Sequence, residues 1–263
     1  MRYSQLNVLG GLPALNSEGK RFSMDMHVHE EFVLAAYFNG HKSYACPDHS
    51  GLMGQGDFLS ISSDIPHSAH SYNDVGCQYV AIYPTLKQIA EATGKETHHV
   101  QRRMHGVRPL QAKNSGISIG QELITLLWED HPADTEFAVS VFLSDLFARF
   151  EDSEDTTRSA SPNIHHVWEH IYETPLEQLN LGKLACSAGI SKEHLCRAFK
   201  STFGLSPFQL LRARRTSHAC KLIKSGTPLS EAAIASGFSD QSHMSRWFKR
   251  IYGASPKTVA LYQ

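Results

Sequence analysis

The chain has 263 residues, of which 41% are hydrophobic, and a net charge of -1. This is enough for two domains with real cores, and no run of about 18 apolar residues is present that would cross a membrane. The N-terminus MRYSQLNVLGG lacks the apolar run of a signal peptide, and five cysteines without C-x-x-C spacing favour a reducing compartment, so we expect a cytoplasmic protein.

Residues from about Arg21 to Tyr83 have a pattern typical of β structure. Short apolar stretches, Phe32–Tyr37, Phe58–Ile61 and Tyr79–Ile82, are separated by Gly, Pro, Asn and Asp. Several short strands with turn residues between them predict a small sandwich or barrel.

After Pro84 the pattern becomes helical. Gly120–Glu129 and Thr135–Phe150 are predicted helices, whereas Thr97–Gln111 is ambiguous and is compatible with a last strand. The second helix carries an apolar stripe that would either pack on the barrel or form a dimer interface. The stripe consists of Val139, Phe142, Leu143, Leu146, Phe147 and Phe150.

Residues 151–163 (EDSEDTTRSASPN) are polar, acidic and rich in Ser and Thr, without apolar periodicity. Such a composition predicts a flexible linker between a domain at 1–150 and a domain at 164–263. A helix is predicted to begin near Asn163–Ile164.

The C-terminal region contains one pattern twice, in Leu181–Pro207 and Leu229–Pro256. In each copy a short apolar helix leads to a Gly, which favours the end of a helix, and then to Ser191 or Ser239, a good N-cap for the next helix. The pattern predicts two helix-turn-helix units joined by a long helix over Pro207–Lys224.

The second helix of each unit is predicted to be one-sided, with apolar residues spaced i, i+3, i+4, i+7. The other side carries groups that reach phosphates and base edges. These are Lys192, Glu193, Arg197 and Lys200 in the first unit, and Gln241, Ser242, Ser245, Arg246 and Lys249 in the second. A helical bundle with solvated charges has the same spacing.

Charge distinguishes these two interpretations. From Asn163 onward there are 13 Lys and Arg and 6 Asp and Glu, a net charge of +7, while the remainder has 12 and 20, a net charge of -8. A basic region with a repeated helix-turn-helix favours DNA as the partner.

One residue is inserted in the second copy, within Asp240–His243, so we expect the two units to read different bases in an asymmetric site.

The stretches LGKLACSAGISKEHLCRAFKSTFGLSP and GFSDQSHMSRWFKRIYGASP closely resemble the two helix-turn-helix motifs of the AraC/XylS family of transcription regulators. The resemblance implies two recognition helices in successive major grooves, about 34 Å apart. It implies base contacts by Arg197 and Arg246, with Lys192, Glu193, Gln241, Ser242 and Ser245 as neighbours. The family usually has leucine where this chain has Thr216.

The N-terminal region resembles the cupin-like sensor domain of the same family through His27-x-His29-Glu30-Glu31-Phe32, Gly56-Asp57 and Pro66-His67. The fold class implied is α+β: a cupin-like β-barrel with following helices, then an all-α domain of two helix-turn-helix units. Period-two spacing would place His27 and His29 on one face of a strand, and with His67 they could bind a divalent metal. However, Val33 replaces the Glu that metal cupins carry about four residues after His29.

We therefore expect no cofactor, and an effector pocket lined by His27, His29, Glu31 and His67. A divalent metal at the three histidines is the alternative. The chain is predicted to be a bacterial, sequence-specific transcription regulator and activator without enzymatic activity, controlled by a small molecule bound in its cupin-like domain. Its expected partners are promoter DNA, the effector, RNA polymerase and a second copy in a homodimer formed through residues 1–150.

Two other functions are compatible with the same residues. One is a cupin-type metalloenzyme that uses His27, His29 and His67 and is fused to a DNA-binding domain. The other is an architectural protein that binds DNA without sequence preference, mainly through phosphates.

Overall fold

A computed structural model describes residues 2–6, 12–19, 23–47, 49–72, 76–110, 121, 123, 135–150, 162–252 and 255–260. A β-rich N-terminal part is followed by a helical C-terminal part, which confirms the predicted fold class. The expected linker, 151–163, lies outside the described residues except for its last two, and Pro162 already begins a helix. The division of the chain into domains at this segment remains a prediction.

The strands of the N-terminal part form two antiparallel sheets. In chain order they are β1 (Arg2–Leu6), β2 (Leu12–Glu18), β3 (Ser23–His27), β4 (Val33–Asn39), β5 (Lys42–Ala45), β6 (Ser50–Met53), β7 (Phe58–Ile61), β8 (His67–Ser71), β9 (Gln78–Ile82) and β10 (Val107–Leu110). One sheet has the order β1-β2-β9-β4-β7-β10 and the other the order β3-β8-β5-β6.

Strand β4 is apolar from Val33 to Phe38, and both of its faces are buried from Val33 to Tyr37. Val33, Ala35 and Tyr37 join a core between the two sheets. Leu34 and Ala36 point the other way, into a second core that helices cover. Alternation along the strand thus divides one apolar run between two cores.

The second core is covered by α1 (Leu86–Thr93), α2 (Thr97–Arg103) and α3 (Thr135–Arg149). The predicted apolar stripe of α3, from Val139 to Phe150, is buried there. The stripe therefore packs on the barrel and is not available as a dimer interface.

The structure extends two of the N-terminal predictions, and a third lies largely outside the described residues. Strands begin before Arg21, at β1 and β2, where the sequence pattern was not interpreted. The ambiguous stretch Thr97–Gln111 contains both the helix α2 and the strand β10. The helix predicted over Gly120–Glu129 lies outside the described residues apart from 121 and 123, which are helical.

The C-terminal helices are α4 (Pro162–Glu173), α5 (Leu181–Ser187), α6 (Lys192–Phe203), α7 (Pro207–Lys224), α8 (Leu229–Ala235), α9 (Gln241–Tyr252) and α10 (Pro256–Ala260). Helix α7 has the predicted bounds, begins with a Ser206 capping box and contacts α6, α8 and α9. It joins the two helix-turn-helix units because its first half packs in the core of one unit and its second half in the core of the other. Thr216, the departure from the family pattern, is fully buried and donates a hydrogen bond to the Arg212 carbonyl (2.7 Å).

All five cysteines are free thiols. Cys46, Cys77 and Cys220 are buried, Cys186 is exposed, and Cys196 is half-buried beside the proposed DNA-reading face of α6. Among the helices of the described ranges, none combines the length and apolar character needed to span a membrane.

Candidate DNA interface and effector cavity

The first recognition helix, α6, is capped as predicted. The Ser191 hydroxyl accepts a hydrogen bond from the His194 amide (3.2 Å), and Gly204 ends the helix with φ of 71°. Leu195 and Phe199 are fully buried. The predicted DNA-contacting residues Lys192, Glu193, Arg197 and Lys200 are all exposed on the helix surface.

The second recognition helix, α9, is capped by Asp240 and not by the predicted Ser239. The Asp240 carboxylate accepts from the His243 amide (2.7 Å), and the Ser239 hydroxyl donates to the same carboxylate (2.9 Å). The His243 amide, with the Ser239 hydroxyl, holds the pKa of Asp240 below its usual value. A carboxylate suits this position because the N-terminus of a helix carries partial positive charge.

Because Asp240 caps α9, the inserted residue of the second copy lies before the helix and not within its first turn. Arg197 is the sixth residue after Ser191, and Arg246 is likewise the sixth after Asp240. The insertion therefore lies in the turn, and the two recognition helices have the same register. The difference between the units comes from their side chains: Lys192, Glu193 and Cys196 in one correspond to Gln241, Ser242 and Ser245 in the other.

The side chains predicted to contact DNA from α9 are presented to solvent. Gln241, Ser242, Arg246 and Lys249 are exposed, and Ser245 is half-buried. The opposite face buries Met244, Phe248 and Ile251. The helix is therefore one-sided, as its apolar spacing predicts.

Arg215 was not singled out by the sequence, yet it ties the second unit to the rest of the domain. Its guanidinium donates to the carbonyls of Pro175 (2.8 Å), Gly237 (2.7 Å) and Glu177 (3.0 Å). Gly237 is required there, because its φ is 75° and a Cβ atom would lie 2.9 Å from the Arg215 guanidinium carbon. The turn glycine thus has a packing role in addition to ending α8.

The structure brings His27, His29 and His67 together. Their ring centroids are separated by 4.4 Å (His27 to His67), 5.0 Å (His29 to His67) and 5.6 Å (His27 to His29). His27 ends β3 directly opposite His67, the first residue of β8. His29 lies two residues beyond β3, so the expectation of two histidines on one strand was wrong, although their rings still meet.

Each of these histidines donates its Nδ1 proton to a backbone carbonyl. The acceptors are Asp25 for His27 (2.7 Å), Glu31 for His29 (2.9 Å) and Ile65 for His67 (2.8 Å). Burial lowers the pKa of His27 to about 4 and that of His29 to about 3, and it lowers the pKa of His67 well below the usual value. The three rings are therefore neutral at pH 7, and the Nε2 atom of each carries no proton.

These histidines line a cavity of about 90 Å³. A water needs about 10–15 Å³ by the same measure, so a compact ligand of several atoms fits. All four predicted pocket residues, His27, His29, Glu31 and His67, line it. Glu31 Oε2 is buried without a hydrogen bond, and burial raises the pKa of this carboxyl.

Sequence reasoning missed the two lysines of the cavity, Lys42 and Lys224. Lys42 is buried, its Nζ lies 4.0 Å from the centre of the Tyr79 ring, and burial lowers its pKa to about 8. Lys42 lies two residues before Tyr44 on β5, so both side chains face inward. This alternation would have indicated Lys42 as a cavity residue. Lys224 lies in the helical domain, and the sequence carries no signal that would bring it to this cavity.

Four residues of the helical domain close the cavity: Cys220, Lys224, Ile251 and Tyr252. The Tyr252 ring stacks on His29, with centroids 6.4 Å apart. The cavity therefore lies at the interface between the barrel and the helices α7 and α9.

The same interface is held by ion pairs. Glu30 accepts from Arg214 (2.8 Å) and pairs with Lys221 (2.5 Å), both on α7. Although burial acts to raise the Glu30 pKa, these two cations hold it below its usual value. Asp25 of β3 pairs with Arg250 of α9 (3.0 Å).

Further contacts add to the docking of the two domains. The Tyr172 hydroxyl donates to the Asp64 carboxylate, and the Arg214 guanidinium lies 3.6 Å from the centre of the Tyr172 ring. Val28 joins the apolar core of the helical domain. The docked arrangement is thus stabilised by apolar packing as well as by charge.

Comparison with known proteins agrees with this architecture. The AraC-like ligand binding domain family matches residues 14–145, and a helix-turn-helix domain family matches residues 184–260. The HTH-type transcriptional regulator YbfI of Bacillus subtilis is 28% identical over 88% of this chain and 87% of its own length. MtrA of Neisseria gonorrhoeae, another HTH-type transcriptional regulator, is 34% identical over 35% of this chain and 31% of its own length.

ToxT from Vibrio cholerae has a similar fold. One ToxT structure aligns over 100% of this chain and 99% of its own, with a TM-score of 0.55 and 13% identity. Another, bound to (E)-4-(8-methylnaphthalen-1-yl)but-3-enoic acid, aligns over 95% and 97% with a TM-score of 0.57 and 14% identity. This chain belongs to the AraC family of DNA-binding transcription regulators, with an AraC-like ligand-binding domain before its helix-turn-helix domain.

Proposed function

We propose that this chain activates transcription from a specific promoter in the bacterial cytoplasm, and that a small molecule in the cavity controls how it binds DNA. The observation that carries the proposal is the shared lining of the cavity. His29 of the barrel meets Tyr252, a residue of the helix that also presents Arg246. An occupant that favours one docked arrangement changes the population of arrangements available to DNA.

Base reading is assigned to Arg197 and Arg246, with Lys192, Glu193, Gln241, Ser242 and Ser245 as neighbours and Lys200 and Lys249 on phosphates. The equal register of the two arginines after their caps supports this assignment. The different neighbours in the two units support an asymmetric DNA site. Compact base-reading helices favour sequence-specific binding over an architectural role.

The effector is proposed to be a compact, largely apolar carboxylic acid. Most residues that line the cavity are apolar or aromatic, and Lys42 and Lys224 supply positive charge. ToxT, which shares the fold, has been crystallised with an unsaturated fatty acid and with the butenoic acid named above. An acid between the two lysines would contact both domains at once.

We propose no catalytic step for this cavity. The related proteins are transcription regulators, and Val33 lines the cavity where metal-dependent cupin enzymes carry a carboxylate.

Homodimer formation is proposed through α3, where Phe137 is 73% exposed and Val141 follows one turn later on the same face. Sedimentation of Phe137→Glu against wild type tests this, and unchanged dimerisation would contradict it.

The test of DNA reading begins with selection of binding sites from random DNA by the purified full chain. On the selected site, Arg246→Ala is expected to cost about 1–3 kcal/mol, because a bidentate contact to a base is lost. Lys87→Ala removes the same charge from an exposed position in the barrel domain and should leave affinity unchanged. Equal affinity of Arg246→Ala and wild type would refute the role of Arg246.

The test of effector binding screens compact carboxylic acids by thermal shift of the full chain. Lys224→Met should weaken binding of an acid that wild type binds, whereas Lys183→Met, on an exposed face of α5, should not. Transcription in vitro from the selected site, with RNA polymerase and the acid, then tests activation. A fall in transcript on addition of the chain would contradict the activator role.

A further inference from the structure

We propose that His27, His29 and His67 form a binding site for a divalent transition-metal ion, with zinc as the reference occupant. The ligand nitrogens of the three residues lie within 4.8 Å of one another, and all three side chains are buried. In a tetrahedral site, nitrogens at about 2.1 Å from zinc lie about 3.4 Å apart. Small rotations of the rings would therefore close them around one ion.

The hydrogen bonds of the rings orient them for this role. A backbone carbonyl can only accept, so each Nδ1 carries the proton and each Nε2 presents its lone pair. Histidines that bind metals in proteins are commonly held in this way, with the non-ligating nitrogen donating to a carbonyl or carboxylate. Three independent side chains share the arrangement here.

Glu31 completes the surroundings of the site. Its Oε2 lies 3.6 Å from His29 Nδ1 and is buried without a hydrogen bond. A bound cation would favour the ionised form of this buried carboxyl, whose negative charge would then offset that of the ion. The buried oxygen thereby acquires a function that the metal-free arrangement does not give it.

The site leaves one coordination position for the cavity. Zinc sites with three protein ligands keep a fourth position for water or a bound molecule. Val33, which lines the cavity, offers no ligand atom, and Tyr252 of the helical domain stacks on His29. An ion here would contact the interface between the domains, and a carboxylate effector could occupy its open position.

This inference does not rest on the proposed regulatory function, because metal binding is measured directly. The metal-stripped full chain is titrated with cobalt(II) and with zinc. We expect one tight equivalent, with the intense visible absorption of tetrahedral cobalt(II). Changes outside the ligand set alone cost about 10- to 100-fold in affinity, so His29→Gln and His67→Gln should each weaken binding by at least about 100-fold.

The chain has 16 histidines, so matched controls are needed. His41→Gln and His165→Gln change exposed rings outside the cluster and should bind as wild type does. Weak, non-stoichiometric binding by wild type, or equal affinity in the cluster and control variants, would overturn the proposal. Since a cluster variant could fail to fold, X-ray absorption of zinc-loaded wild type provides a second test: three imidazole ligands support the site, and two or fewer overturn it.

Discussion

Arg215 shows how much one side chain can hold when each of its three nitrogens donates a hydrogen bond. Its guanidinium joins three carbonyls that belong to the loop after α4 and to the turn of the second helix-turn-helix unit. Planar guanidinium groups suit this task because their donors are fixed in one fork. The geometry of the second unit therefore depends on a residue outside the motif.

Replacing this side chain tests that dependence. Arg215→Met is expected to lower the free energy of unfolding by about 2 kcal/mol, since the variant loses a charged group that donates to three carbonyls, one of them partly buried. Arg212→Met, on the same helix, is the matched control: its guanidinium lies 6.0 Å from the centre of the Phe238 ring, a contact worth about 1 kcal/mol at most. Denaturant unfolding of both variants measures the difference, and equal losses would contradict the role of Arg215.

At the scale of elements, the turn in the second unit absorbs an extra residue without disturbing the helix that follows. Met244 is buried like Leu195, and Arg246 is exposed like Arg197. The residues of each pair lie at the same distance from the cap of their helix. The periodicity of a helix makes this necessary, since one added residue within α9 would rotate its apolar face by about 100°. The turn is the only place where an insertion preserves both faces.

The cap itself is testable. Asp240→Ala should lower the midpoint of thermal unfolding and weaken DNA binding, because the first turn of α9 loses the acceptor for the His243 amide. Ser239→Ala should cost less, since its hydroxyl only supports the carboxylate. Thermal unfolding and gel shift on the selected DNA site measure both. A larger loss for Ser239→Ala would restore Ser239 as the cap.

At the scale of the whole molecule, the interface between barrel and helices combines an ionic clamp with the cavity. Glu30 pairs with two cations of α7, and its neighbours His29 and Glu31 line the cavity. Strand β3 contacts both α7 and α9. A ligand in the cavity therefore meets the elements that hold the two domains together.

The clamp predicts a difference between two conservative substitutions. Glu30→Gln should weaken docking by about 1–2 kcal/mol, because Arg214 is left largely buried without a carboxylate. Asp25→Asn should cost less than about 1 kcal/mol, since Asp25 and Arg250 are both more than half exposed. Hydrogen–deuterium exchange along 23–31 and 207–224 measures docking. Equal protection in the two variants would show that charge at Glu30 does not hold the domains.

The helical domain was largely predictable, because its signals are local. Apolar spacing, glycines and caps act within a few residues, so the bounds of α7 and the exposed faces of α6 and α9 followed from the pattern. The choice between Ser239 and Asp240 did not, since adjacent residues with similar side chains can both cap. Strand β2 was missed because it pairs with β9, which is distant in the chain, and β1 in turn pairs with β2.

Sequence by itself determined the family, the two helix-turn-helix units and four of the residues that converge in the cavity, His27, His29, Glu31 and His67. His27, His29 and His67 were recognised by type and spacing, although their geometry was not. Only tertiary structure decided that the cavity lies between two domains and includes Lys224 and Tyr252. The residues of a motif lie within one short segment of the sequence, so the sequence reveals them. A site shared by two domains forms only when the surfaces of those domains pack together.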